Sequence, residues 1–265
     1  MSYLQCNCKK IANEILALAI RMTAYWLAGA TCVMTFGGGL IALRLEAYRG
    51  MVLAFCAGAL VSGALLNVIP EALDLLEASE SRLAHQHLLF ACGLGFLVFY
   101  LFEHAVHHGH AHEENSVDNL RQKVGIWGAL GIGIHSFFDG VAIGGAFQAG
   151  NEMGWVVAAA VMVHKIADGA SSVGVMLSTR HSVPQVIAVL SATAIAPLIG
   201  TTVQSAFVIP TPLLALILGW FSGIFLYLGA TCLLPAAHEA GESRWLPIMT
   251  LSGAVLIYIA HSLAE

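Results

Sequence analysis

Two stretches of the sequence repeat the pattern His-x-x-x-Asp-Gly, one from His135 to Asp139 and one from His164 to Asp168, each followed by glycine. Residues four apart on a helix share one face, so each stretch predicts two side chains that point the same way. Two imidazoles and two carboxylates form a donor set that suits a first-row divalent metal ion. The two aspartates would also neutralise a dication. We therefore predict one metal site formed by His135, Asp139, His164 and Asp168.

The composition places this site in a membrane. Of 265 residues, 58% are hydrophobic and only 10% are charged, and the mean hydropathy is +0.80. A globular domain usually carries about 25% charged residues, so a soluble enzyme, a disordered chain and a nucleic-acid binder are excluded. The formal net charge of −5 also argues against nucleic acid as a partner. The composition indicates an all-α integral membrane protein that has the lipid bilayer as its surroundings.

Eight apolar segments are each near the roughly 20 residues that a spanning helix needs. Their length and their lack of period-two alternation favour helices over barrel strands. Residues 11–22 are too short and too charged to span, so they predict an interfacial helix or an extension of the first span. We divide the chain into an N-terminal segment, 1–23, and an eight-helix transmembrane domain, 24–265. The predicted spans are 24–43, 50–69, 86–106, 124–149, 153–178, 184–208, 212–235 and 245–263.

Two sequence patterns that occur twice indicate how the spans are arranged. The two His-x-x-x-Asp-Gly motifs lie on the fourth and fifth predicted spans, which run in opposite directions. Gly58 precedes Pro70 by twelve residues on the second span, and Gly223 precedes Pro235 by twelve residues on the seventh. Both repeated patterns fit an inverted repeat of three helices on each side of a central pair, an arrangement typical of transporters. The sequence thus predicts a 3+2+3 bundle of eight helices.

The distribution of basic residues predicts the orientation in the membrane. Eight spans place both termini on one side, and the loops of the opposite side carry more Arg and Lys. The positive-inside rule therefore places both termini outside the cytoplasm. The cytoplasmic loops would hold Arg44, Arg49, Arg121, Lys123, Arg180 and Arg244, and the other side Lys9, Lys10, Arg21 and Arg82.

Three charged residues, Asp139, Lys165 and Asp168, lie well inside predicted spans. Each costs at least about 2.5–3.5 kcal/mol there unless a partner compensates its charge. A metal site is one interpretation of these residues. The alternative is a structural cluster in which His–Asp pairs hold the helices together.

Several motifs together resemble the ZIP (Zrt/Irt-like) family of divalent-metal transporters. They are the two metal motifs in the middle of eight spans, Pro-Glu-Ala at 70–72, the run Gly-x-Phe-Leu-Tyr-Leu-Gly from Gly223 to Gly229, and histidines between the third and fourth spans. The resemblance implies a metal site between the fourth and fifth spans and movement of metal toward the cytoplasm. The implied substrate is Zn²⁺, with Fe²⁺, Mn²⁺ and Cd²⁺ as further candidates, and no organic cofactor. It also implies a multi-pass protein of the plasma (inner) membrane or an organelle membrane, and it is compatible with a homodimer.

The chain departs from the commonest pattern of that family at two places beside the site. Ser136 stands where an asparagine is usual, and Lys165 stands where a carboxylate is usual. Relatives use such groups to hold a second metal ion, so we predict a mononuclear site and a subgroup marked by His-Lys at the start of the fifth-span motif. Helical spacing also allows Lys165 to pair with Asp168. Alternatively, the lysine extends to a membrane interface.

Two further clusters are candidate accessory metal sites. The loop at 103–123 has five histidines within nine residues, which is a compositional signal for metal binding, although a plain hydrophilic linker is the alternative. His238 and Glu239 follow the seventh span and predict either a station on the exit path or a capped helix end. The loop histidines are His104, His107, His108, His110 and His112.

An intramembrane zinc-dependent hydrolase of the ceramidase-like type is the main alternative function. Such enzymes usually combine three histidines with an open position for water, whereas only two histidines lie in the central spans here. A metal-gated receptor without flux is a third interpretation. We therefore predict a transporter of divalent metal ions and no enzymatic activity.

Overall fold

Helices account for nearly all of the chain that the computed structural model describes, which comprises residues 2–79, 85–108, 116–207, 209–241 and 243–262. No strand occurs within these ranges. Long apolar runs become helices because a helix satisfies every backbone N–H and C=O inside its own segment. The α-helices are α1 (Ser2–Arg44), α2 (Arg49–Gly63), α3 (Ile69–Ala78), α4 (His85–His108), α5 (Ser116–Ala149), α6 (Asn151–Ser178), α7 (Val183–Ala206), α8 (Thr211–Tyr227), α9 (Leu234–Glu239) and α10 (Leu246–Ser262).

Two of the long helices contain a π-helical turn just before a proline. The segment Ala64–Val68 joins α2 to α3 and ends two residues before Pro70, and the segment Leu228–Leu233 joins α8 to α9 and ends two residues before Pro235. Proline cannot donate the hydrogen bond of a regular turn, and its ring crowds the preceding turn. A locally widened helix accommodates both effects. The same distortion therefore marks the two segments that the sequence relates as repeats.

Within the described part of the chain, six segments are long and apolar enough to cross a membrane. A seventh, α6, is bent by 41° between Asn151–Ala159 and His164–Ser178, and α10 is apolar over the shorter stretch Leu246–Ile259. The predicted all-α integral membrane fold is confirmed, and the number of eight spans stays a prediction. The six are Leu18–Arg44, Arg49–Glu77, His85–Ala105, Lys123–Gln148, Val183–Ala206 and Thr211–Glu239.

The first predicted span is part of a longer helix. Helix α1 runs without a break from Ser2 to Arg44, so residues 11–22 extend the first span along one axis. The division between a 1–23 segment and a 24–265 domain stays a prediction. Helices α4 and α5 likewise continue to His108 and from Ser116, inside the predicted loop 103–123.

The helices pack as two bundles, and their pairing has the symmetry that an inverted repeat predicts. In the first bundle, α1 packs along α6 and α5 along α7, and α5 also packs along α6. In the second bundle, α2 packs along α10 and α4 along α8. An inverted repeat relates each helix of one half of the chain to a helix of the other half. The same set of packed pairs results when every helix is replaced by its counterpart, where the counterparts are α1 and α7, α2 and α8, α4 and α10, and α5 and α6. Contacts between the bundles are less extensive and centre on α2 against α6 and α5 against α8.

Paired glycines bring the backbones of each helix pair together. A Cβ added to Gly38 would collide with the carbonyl oxygen of Ile166, and one added to Gly169 would collide with the carbonyl oxygen of Thr35. The carbonyl in each case belongs to the residue three positions before the opposite glycine. Small residues permit such close approach between membrane helices. The same reciprocal contacts join Gly140 with Gly200, Gly58 with Gly253, and Gly95 with Gly223.

Substitution of Gly38 by alanine tests the importance of this close approach. We expect Gly38→Ala to lower the midpoint of thermal unfolding in detergent by about 2–10 °C, because the added methyl forces α1 away from α6. The matched control is Gly37→Ala, since a Cβ there meets nothing within 4 Å. It should leave the midpoint unchanged or slightly higher, because alanine favours the helix. Equal midpoints for the two variants would contradict the expectation.

Candidate metal centre

The sharp turn between α5 and α6 brings the histidines of the two motifs to nearly the same depth. Helix α5 ends at Ala149 and α6 begins at Asn151, so only Gly150 separates these antiparallel neighbours. Residues equally distant from Gly150 lie at the same level. His135 is therefore level with Lys165, while Asp139 lies one helical turn nearer the connection.

The four predicted ligands converge on one buried point. His135, Asp139, His164 and Asp168 have exposed fractions of 0%, 1%, 6% and 5%. Each offers one ligand atom, and these atoms all lie within 4.8 Å of one another. Asp139 and Asp168 thus face a shared centre, and one ion could contact all four side chains.

The shortest separation between ligand atoms equals that around a tetrahedral metal ion, and the others are somewhat longer. Two ligands about 2.0–2.1 Å from such an ion lie about 3.4 Å apart. His135 Nε2 is 3.4 Å from Asp139 Oδ1, and His164 Nε2 is 3.6 Å from Asp139 Oδ2 and 3.9 Å from Asp168 Oδ2. These separations exceed the usual range of a hydrogen bond. They are suited to groups that share an ion.

His135 supports the same interpretation. Neither of its ring nitrogens makes a hydrogen bond within the described part of the chain, although the residue is fully buried. A buried polar atom without a partner costs about 1–3 kcal/mol. The edge-to-face contact with the ring of Phe225, at 4.8 Å between centroids, holds the imidazole in place without using either nitrogen. A metal ion would supply the missing partner.

Lys165 extends into the cluster and does not reach a membrane interface. It is fully buried, and its Nζ donates hydrogen bonds to Ser136 Oγ at 3.0 Å and to Asp168 Oδ2 at 2.7 Å. Nζ also forms an ion pair with Asp139. The ammonium group of Lys165 therefore bridges the two carboxylates. Ser136 is connected to the site by its hydrogen bond with this ammonium group.

Asn67 is a site residue that the sequence analysis missed. It comes from the π-helical turn of the second bundle, and its Nδ2 lies 3.1 Å from Nδ1 of His164. The available signal was an isolated amide within an apolar span, which needs a hydrogen-bonding partner there. The cavity beside Asn67 is also lined by Ser171, and the hydroxyls of Ser171 and Ser172 are buried without a hydrogen-bond partner among the described residues.

The candidate accessory residues lie away from this cluster. His238 is exposed on α9, with Nδ1 at 2.9 Å from the carbonyl oxygen of Leu234. Glu239 lines a separate cavity together with Arg49 and Arg180. His104 is exposed on α4 and its ring stacks on Tyr100. His107 and His108 belong to the last turn of α4, and His110 and His112 lie outside the described residues.

The fold and this cluster define a multi-pass helical membrane protein with a buried site of metal-binding chemistry. Residues 107–259, more than half of the chain, match the family model described as ZIP zinc transporter. The chain belongs to the ZIP zinc transporter family.

Three curated relatives illustrate the range of similarity. The chain is 26% identical over 115 residues to Zinc transporter zipt-7.1 of Caenorhabditis briggsae, 30% identical over 118 residues to Zinc transporter ZIP4 of Homo sapiens, and 22% identical over 177 residues to Zinc transporter YKE4 of Saccharomyces cerevisiae. These stretches cover 41%, 44% and 60% of this chain but only 29%, 18% and 49% of the relatives. All three are named as transporters and none as an enzyme, so the hydrolase alternative finds no support.

Variants of Asn67 test its relation to His164. A neutral imidazole that binds metal through Nε2 carries its proton on Nδ1 and needs an acceptor there. The amide of Asn67 supplies that acceptor if it flips by 180°. We expect Asn67→Ala to weaken Zn²⁺ binding by about 10–100-fold in calorimetric titrations.

The control for this experiment is Asn67→Asp, which keeps an acceptor of the same size and should bind Zn²⁺ more tightly than the alanine variant. An alanine variant with wild-type affinity would show that Asn67 has no part in orienting His164.

Proposed function

We propose that this protein carries Zn²⁺ across a membrane, toward the cytoplasm, through a mononuclear site formed by His135, Asp139, His164 and Asp168. The observation that carries the proposal is the convergence of these four side chains, with ligand atoms within 4.8 Å of one another, inside a membrane bundle. Membership of the ZIP zinc transporter family and the names of its relatives support zinc as the substrate.

The donor set suits a site that must both bind and release its ion. Imidazole and carboxylate hold zinc less firmly than clusters of thiolates do, and a conducting site has to let its ion leave. The same four groups are acceptable ligands for Fe²⁺, Mn²⁺ and Cd²⁺, which are therefore secondary candidates.

The charges around the site favour a single ion. A second dication beside the first would lie against the ammonium of Lys165, which contacts both aspartates. Ser136, which neighbours that ammonium, offers a neutral hydroxyl in place of a stronger ligand. The repulsion between Lys165 and a second metal ion therefore supports a mononuclear site.

The packing of the bundles supports alternating access by movement of one against the other. Within the bundles, glycines place backbone against backbone, whereas the contacts between them involve side chains, such as Gly128 against Leu228 and Gly174 against Cys56. The ligands come from the first bundle, and the cavity beside them is closed by residues of the second, including Asn67 and Phe225. Sliding at this surface would expose the site to either side.

The remaining assignments are secondary parts of the proposal. On the orientation with both termini outside the cytoplasm, His238 and Glu239 lie at the cytoplasmic end of α9 and would form a station on the exit path. The histidines from His104 to His112 would bind metal on the same side. Assembly as a homodimer stays an expectation from the family.

Uptake into proteoliposomes tests the function directly. The wild-type chain should accumulate Zn²⁺, and His135→Ala, Asp139→Asn and His164→Ala should reduce the rate at least about 10–100-fold, because the alanine variants remove a ligand and the asparagine variant removes a ligand's charge. Purified wild-type protein should retain one ion per chain, as measured by elemental analysis. Two tightly bound ions per chain would reject the mononuclear site, and uptake by the ligand variants at the wild-type rate would reject the site altogether.

A disulfide between the bundles tests the proposed movement. A Cβ at Gly174 of α6 would lie 3.6 Å from Cβ of Cys56 of α2, a separation that a disulfide accepts. Oxidation of Gly174→Cys should therefore stop uptake, and a reductant should restore it.

The matched control joins two positions of the second bundle. A Cβ at Gly50 would lie 3.6 Å from Cβ of Ala240, so the pair Gly50→Cys and Ala240→Cys should cross-link and still transport. Full uptake by the oxidised Gly174→Cys protein would refute movement between α2 and α6.

A further inference from the structure

We propose that Lys165 is a tethered cation that competes with the metal ion for Asp139 and Asp168, and thereby sets how tightly the ion is held and how fast it leaves. This inference rests on the proposed function, because it concerns the same site. The ammonium contacts Oδ2 of Asp139 and Oδ2 of Asp168. The distances from His164 Nε2 to these same two oxygens suggest that the metal ion would use them as well.

The contacts of Lys165 use all the hydrogen-bond donors of its ammonium group. An ammonium group has three N–H donors, and Nζ has three acceptors in Ser136, Asp139 and Asp168. A metal ion that takes the two carboxylate oxygens must displace the ammonium from at least one of them. Ser136 can keep its hydrogen bond meanwhile, so the displaced charge retains one partner inside the protein.

The position of Lys165 prevents it from leaving the site for water. Its side chain is fully buried, and it lies near the middle of α6, level with His135 on the neighbouring helix. A charge at this depth must stay near opposite charges. Metal ion and ammonium therefore share one small region, and each destabilises the other there.

The charge count gives the direction of the effect. The formal charges of two carboxylates and one ammonium add up to −1 without a metal ion and to +1 with a dication. Without the lysine the sums are −2 and 0. In a medium of low dielectric constant the neutral loaded site is strongly favoured, so loss of the ammonium should make binding tighter and release slower.

The competing account is that Lys165 serves only to join α5 and α6. Its removal would then loosen the site, and metal binding and stability would decline together. Competition predicts the opposite sign for metal binding. It also predicts that KM and kcat fall together, since an ion that is held more tightly leaves more slowly.

The experiment compares Lys165→Met and Lys165→Arg with the wild-type chain in calorimetric titration with Zn²⁺ and in proteoliposome uptake. Lys165→Met keeps the length without the charge and should bind Zn²⁺ at least about tenfold more tightly, with lower KM and lower kcat. Lys165→Arg keeps the charge on a fork that fits two carboxylates and should bind Zn²⁺ no more tightly than wild type. Lys123→Met changes an exposed lysine at the start of the fourth span and should match wild type.

The outcomes separate this inference from the function on which it rests. Unchanged or weaker binding by Lys165→Met, beside a wild-type chain that binds and transports Zn²⁺, overturns the inference alone. A wild-type chain that neither binds nor transports Zn²⁺ overturns the proposed function and this inference with it. If Lys165→Met folds only in the presence of Zn²⁺, that dependence supports competition, because the ion then replaces the lost cation. If it cannot be recovered even with Zn²⁺, Lys165→Arg decides, and tighter binding by that variant overturns the inference.

Discussion

Asp139 and Asp168 lie within a membrane bundle with 1% and 5% of their surface exposed, where water screens their charges little. Two carboxylates that face one point repel each other unless a cation lies between them. The protein supplies one cation permanently, through Lys165, and on the proposed function the histidines beside the aspartates would supply ligands for another. The requirement for positive charge explains why a lysine, two imidazoles and two carboxylates occur together in a region otherwise built of apolar side chains.

The convergence of the two His and two Asp side chains could be predicted from the sequence because it depends on local geometry and symmetry. The four-residue spacing within each motif places His and Asp on one face of a helix whatever the rest of the fold does. The second copy of the motif predicts a matching face on the neighbouring helix, and the single-residue connection at Gly150 brings the two histidines to nearly the same depth. The inverted repeat could also be predicted from spacing within the sequence, since both Gly-to-Pro intervals are twelve residues long.

The features that escaped prediction depend on packing between distant segments. Asn67 lies in the π-helical turn before Pro70 and meets His164 of the other bundle, and no periodicity of the sequence reports such a turn. The spacing of Lys165 predicts a pair with Asp168 on the same helix, but the contact with Asp139 requires the relative height of α5 and α6. Composition predicts the fold class but does not fix the number of spans, because α6 is bent and the apolar stretch of α10 is short.

The glycine that ends each motif links the packing of the bundle to the chemistry of the site. Gly140 faces the backbone of α7, and Gly169 faces the backbone of α1. Consecutive residues of a helix point about 100° apart, so a helix held by Gly140 against α7 must turn Asp139 away from that contact. That direction leads toward α6, where Asp139 meets His164 and Lys165. A larger residue at either glycine would therefore displace a helix together with its carboxylate, so the pattern His-x-x-x-Asp-Gly specifies both the proposed ligands and the packing that directs them toward each other.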